Sequence, residues 1–135
     1  MYSLFSIINT KLFFFPLYIM FKYCQKFNIA NNQINNVGTG VCSLIHLSKL
    51  LLRNNAITVI PENVGSMINL IELDAAYNQI EILPSSIGDL INLKKLNFEK
   101  NNIIEIPSSL FKLKNMTHLN LSYNKIININ GKLGK

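Results

Sequence analysis

The chain has 135 residues, 49% of them apolar, which is material for one domain or for a stack of small units. Its net charge is +6, but the 13 basic residues are scattered and form no Lys/Arg block, so neither nucleic acid nor an anionic membrane patch is an expected partner. Cys24 and Cys42 are too few for a disulfide framework and match no metal spacing, and His46 and His118 stand apart from other ligands, so reduced thiols and no metal or other cofactor are expected.

Residues 1–21 form an apolar N-terminal segment with three readings. Leu12 to Phe21, preceded by Lys11, has the length of a signal-peptide core, yet no small-x-small cleavage site follows it. The run is short for a membrane helix, which needs about 20 apolar residues. Counting back 23 from the first clear unit puts Leu4, Asn9, Phe14, Tyr18 and Phe21 on repeat positions, as in a degenerate capping repeat. An artefact of the gene model is the third reading.

From residue 22 to residue 135 the chain is periodic. Asn32, Asn55, Asn78, Asn101 and Asn124 are spaced by 23 residues. Five positions before each stands Phe27, Leu50, Leu73, Leu96 or Leu119, and three before stands Ile29, Leu52, Ala75, Phe98 or Leu121. Ile34, Ile57, Ile80, Ile103 and Ile126 follow two positions after, and Pro61, Pro84 and Pro107 recur in the second half of the unit. A run such as Leu70 to Ala75 predicts one short strand, and the remainder of the unit is long enough to cross over to a parallel neighbour. Pro84 suits the start of a short helix or 3₁₀ turn, because it lacks an N–H that would be orphaned there. Each unit buries one face and is stable only when stacked. The Asn sits where the strand ends, and its carboxamide offers donors and acceptors to the turning backbone, so the five amides are expected to form a ladder. The C-terminus stops within an outer-wall segment, with no polar cap visible, as expected of a fragment or of a fraying last turn.

At these residues the chain resembles the leucine-rich repeat family, with its unit L-x-x-L-x-L-x-x-N-x-L. The tail Ile82 to Leu93 is similar to the 23-residue subclass of Ras-group and plant intracellular members. The resemblance implies an α/β fold: a right-handed solenoid with short parallel strands on the concave face and loops, 3₁₀ turns or short helices on the convex face. It also implies a non-enzymatic, monomeric scaffold binding a protein partner, with small GTPases and phosphatase subunits among the family's partners, and a role in signalling. The family's extracellular members usually carry Cys-rich caps. None is visible here, which points to the cytoplasm, with membrane contact or secretion through residues 1–21 as the alternative. The sequons at Asn115 and Asn120 weigh weakly against the cytoplasm. A fragment of a larger regulatory protein is a further alternative.

Residues alternating with the strand leucines point out of the concave sheet. Row by row, they include Lys49, Glu72, Lys95 and His118; then Leu51, Asp74, Asn97 and Asn120; then Arg53, Ala76 and Glu99; and finally Tyr77, Lys100 and Tyr123 just past the strands. Neighbouring rungs are about 4.8 Å apart, so Glu72 is within reach of both Lys49 and Lys95, and Lys100 lies between two tyrosines at cation–π range. Arg53, Tyr77, Tyr123 and Leu51 are interface-prone, against the plainer reading of a solvated polar face. The carboxylates Glu72 and Asp74 are flanked by lysines and so are expected to be ionised surface groups rather than an acid–base pair. No Ser-His-Asp grouping or phosphate-cradling Gly loop is present, and no catalysis is expected. His46 shares a pre-strand slot with Asn69, Asn92 and Asn115 and reads as a loop residue.

Overall fold

Strands of three residues, each with one central apolar side chain, bury that side chain and little else, so the fold depends on repetition. The computed structural model of the chain describes residues 23–129. Its strands are β1 (Lys26–Asn28), β2 (Lys49–Leu51), β3 (Glu72–Asp74), β4 (Lys95–Asn97) and, after a short outer strand β5 (Glu105–Ile106), β6 (His118–Asn120) and β7 (Asn128–Ile129). The first four and β6 form one parallel sheet in the order β1-β2-β3-β4-β6. Its register is constant, with Phe27, Leu50, Leu73, Leu96 and Leu119 in one row. β5 and β7 pair on the opposite wall, an element that the periodicity left as loop.

Between the strands the chain makes four 3₁₀ turns, Thr39–Ser43, Glu62–Ser66, Ser85–Asp89 and Ser108–Lys112. Pro61, Pro84 and Pro107 stand immediately before the last three, where a missing N–H costs nothing. These turns stack on one another along the wall opposite the sheet, as the strands stack along theirs, in a leucine-rich-repeat-like solenoid arrangement. The core runs between the two walls: Leu73, Ile80, Ile87, Leu90, Leu93, Phe98 and Ile103 are fully buried. Leu119, on the last rung of the sheet, is 46% exposed.

Three of the 3₁₀ turns carry glycine, and two of these glycines, Gly65 and Gly88, let the next turn stack closely. A Cβ on Gly88 would lie 2.3 Å from the backbone oxygen of Ser109 in the next turn, and one on Gly65 would lie 2.7 Å from that of Ser86. Gly88→Ala therefore pushes two backbones apart, and an expected loss of about 1–3 kcal/mol is measurable by urea unfolding. An unchanged midpoint would show that the turns are looser than this contact requires. Glu62 ties the same wall together: its Oε1 accepts from Ser85 Oγ at 2.7 Å and Ser86 N–H at 2.9 Å. The Ser85 hydroxyl, then the Ser86 amide, hold its carboxyl below the usual glutamate range.

Residues 1–22 and 130–135 lie outside the described residues, and with them the three readings of the N-terminal segment and the expectation about the last turn. Among the described residues no helix is long and apolar enough to cross a membrane.

Candidate protein-binding face

The side chains that could meet a partner are set by what the backbone does at the end of each strand. Asn31, Asn54, Tyr77, Lys100 and Tyr123 all have positive φ, between 52° and 58°. Asn tolerates this left-handed conformation, whereas for a bulky side chain it costs about 1–2 kcal/mol. The stack enforces it through hydrogen bonds between turns: the Tyr77 N–H donates to Glu99 O at 2.8 Å and the Lys100 N–H to Ser122 O at 2.9 Å. Each left-handed residue projects from the end of its strand, and the five align. The Asn54 amide donates to Asn31 Oδ1 at 3.0 Å. Beyond them Arg53 lies 4.4 Å from the Tyr77 ring centroid, and Lys100 is 4.7 Å from Tyr77 and 5.5 Å from Tyr123. Nothing in the residue types of Tyr77, Lys100 and Tyr123 signals this conformation; only the two asparagines in the row do.

The residue after each left-handed position is the repeated Asn, which works inside the fold. Asn78 Nδ2 donates to Leu52 O at 3.1 Å, Ala75 O at 3.0 Å and Ala76 O at 3.2 Å, while its Oδ1 accepts the Ile57 N–H at 3.0 Å. Asn55, Asn101 and Asn124 repeat the reach into the preceding turn, accepting the N–H of Ile34, Ile80 and Ile103. Among the described residues Asn32 bonds to its own turn, through Ile29 O and Ala30 O. A second amide row joins the turns ahead of the strands: Asn69, Asn92 and Asn115 donate to Ile45, Ile68 and Ile91 oxygens, each at 2.8 Å. His46 occupies the first slot of that row and stacks on Tyr23, with centroids 6.1 Å apart.

On the strands themselves, Lys49, Glu72, Lys95 and His118 share one register row, and Leu51, Asp74, Asn97 and Asn120 share the next. They alternate with buried Leu50, Leu73 and Leu96. Glu72 pairs with Lys49 at 3.0 Å; the expected second pairing, with Lys95, is not made, because the carboxylate is turned to the preceding rung. Asp74 lies 3.9 Å from Arg53. Both pairs are partly exposed, so each contributes at most about 1 kcal/mol. Ala76, expected to face a partner, is fully buried, its methyl being shorter than its row neighbours Arg53 and Glu99. Glu99 accepts from Tyr77 Oη at 3.5 Å and Asn120 Nδ2 at 3.4 Å. His118 Nδ1 lies 2.8 Å from Thr117 Oγ.

The second row carries a function that strand alternation does not reveal. Asp74 Oδ1 accepts the Ala76 N–H at 3.1 Å, and Asn28, Asn97 and Asn120 do the same for Ala30, Glu99 and Ser122. These side-chain oxygens cap the strand ends before the left-handed turn. Between β3 and β6 the face holds an open groove of about 470 Å³, bordered by Glu72, Asp74, Lys95, Asn97, His118 and Asn120. Among the described residues no cluster of His, Cys, Asp or Glu is placed to hold a metal ion. Cys24 and Cys42 are unbridged, and burial raises the Cys42 thiol above its ordinary value.

This geometry is shared with known proteins. The family model described as a leucine-rich repeat region matches residues 5–135. A leucine-rich repeat protein of Leptospira interrogans is 33% identical over 78% of this chain and 27% of its own, with a TM-score of 0.75. The plant peptide hormone receptor RGFR1, solved in complex with RGF2, is 31% identical over 74% of this chain and 17% of its own, with a TM-score of 0.70. An internalin C2 of Listeria monocytogenes is 30% identical over 76% of this chain and 43% of its own, with a TM-score of 0.68. This chain thus matches less than half the length of each of these three proteins. No curated protein matches it. The stacked parallel strands, the buried leucine rows and the family match together establish that the chain belongs to the leucine-rich repeat family.

Proposed function

We propose that the domain is a non-enzymatic interaction module that binds a protein partner across the concave sheet. The observation that carries this reading is the ladder Arg53, Tyr77, Lys100 and Tyr123, in which three consecutive left-handed positions carry bulky side chains that the fold itself does not require. Strained backbone that displays aromatic and cationic groups on an open face suits recognition, since aromatic and Arg side chains dominate interface energetics. The 23-residue unit and the tail Ile82 to Leu93 support the Ras-group and plant intracellular subclass, and with it a monomeric signalling scaffold. The two unbridged thiols support a cytoplasmic setting.

The test is capture of a crosslinked partner by the intact chain and by the triple variant Arg53→Ala, Tyr77→Ala, Tyr123→Ala. Capture is expected to fall by about tenfold or more, since losing even one hot spot costs about 2 kcal/mol. Ile82→Asp, which changes a 75% exposed residue on the opposite wall, should leave capture unaltered. Equal capture by the triple variant, at equal melting temperature, would exclude the concave face.

A further inference from the structure

The charges of the concave face are not evenly satisfied. Its carboxylates are all engaged: Glu72 with Lys49, Asp74 with Arg53, and Glu99 with the Tyr77 hydroxyl and the Asn120 amide. Lys95 has no such partner among the described residues, although it stands between Glu72 and His118 in the same row. The asparagines next to it add to the imbalance. Asn97 uses its oxygen to accept the Glu99 N–H, which leaves its Nδ2 donors facing the groove. His118 borders the groove from the next rung, with its Nδ1 at the Thr117 hydroxyl. Lys95 and Asn97 stand two residues apart on β4, about 7 Å along one face, and His118 stands one rung, about 4.8 Å, beside Lys95. The groove therefore presents two unspent donor groups, the Lys95 ammonium and the Asn97 amide, and no unspent acceptor charge.

Resting on the concave-face reading above, we infer that the groove between β3 and β6 takes an acidic protein segment in extended conformation, with a carboxylate bound by Lys95 and Asn97. Side chains on one face of an extended segment repeat at about 7 Å, which matches the spacing from Lys95 to Asn97. Charged acceptors make the stronger hydrogen bonds, and an ammonium left without a carboxylate is the complementary site. The neutralised Glu72 and Asp74 pairs on the neighbouring rung remove the repulsion that would otherwise oppose an acidic ligand there.

One position offers an isosteric test. Asp74 occupies on β3 the slot that Asn97 occupies on β4, and its Oδ1 makes the same cap to the residue two further on. Asn97→Asp should therefore keep the cap and the fold while replacing the donors by negative charge. The probe is an end-blocked, dye-labelled peptide of alternating glutamate and serine, with a lysine–serine peptide as control, titrated by fluorescence anisotropy into the full chain. The acidic peptide should bind and the basic one should not, and binding should weaken as salt rises. Asn97→Asp and Lys95→Glu should each weaken it by about tenfold, the loss of one charge-assisted bond, at unchanged melting temperature. Failure of the acidic peptide to bind, or equal binding of both peptides, would overturn the inference. Preferential binding of the basic peptide that is lost in the Arg53, Tyr77, Tyr123 triple variant would overturn the acidic preference and leave the concave face standing. Binding of the acidic peptide that ignores Asn97→Asp and Lys95→Glu but is lost in Ile82→Asp would remove both.

Discussion

Phe98→Ala is expected to lower the stability of the domain by about 3–5 kcal/mol, the range for truncating a fully buried aromatic side chain. Phe98 is the largest fully buried side chain, and it shares its repeat position with Ile29, Leu52, Ala75 and Leu121. Its neighbour in that row is the smallest of the five: the benzyl group and the Ala75 methyl are both fully buried one turn apart, a large residue beside a small one. Interiors pack to crystal-like density, so volume missing at Ala75 must be supplied close by. Removing the ring leaves a cavity that rigid neighbouring turns cannot close. Chemical denaturation with Leu52→Ala as reference checks this, and a cost for Phe98→Ala below that for Leu52→Ala would mean that the row does not share its volume in this way.

Asn78→Leu is expected to cost about 3 kcal/mol, the upper end for stranding a buried polar group. The substitution is close in size, so the effect isolates hydrogen bonding. It leaves the Ile57 N–H without its acceptor, within a residue that is fully buried, and removes the donor to Leu52, Ala75 and Ala76 oxygens. Because one amide spans two turns, the loss loosens the stack on both sides. Asn32→Leu should cost less, since Asn32 is only partly buried and among the described residues reaches only oxygens of its own turn. Thermal melts of the two variants rank them, and equal melting temperatures would contradict a ladder acting between turns.

The stack was legible in the sequence because its physics is periodic. Leu50, Leu73 and Leu96 point inward for the same reason in each turn, and Pro84 precedes a 3₁₀ turn because its own chemistry allows little else. What was not legible depends on contacts between specific turns. Gly65 and Gly88 look like ordinary glycines until the backbone of the next turn is seen to pass beside them. Ala76 alternates outward but is buried, because alternation gives direction and not depth. Glu72 had two lysines in reach and took one, a choice of side-chain rotamer that register cannot decide. The left-handed backbone at Tyr77, Lys100 and Tyr123 escaped notice because those residue types rarely adopt it, which is also why it draws attention to the face they display.

Function in this fold is expected to reside on the face that the stack leaves free, and backbone hydrogen exchange during binding of the acidic peptide tests this most directly. The reading predicts slowed exchange confined to β3, β4 and β6 and the left-handed positions beside them, with the Ser85–Asp89 and Ser108–Lys112 turns unchanged. Protection centred instead on the outer wall around Val59, Ile82 and Ile104, with the strands unaffected, would contradict it.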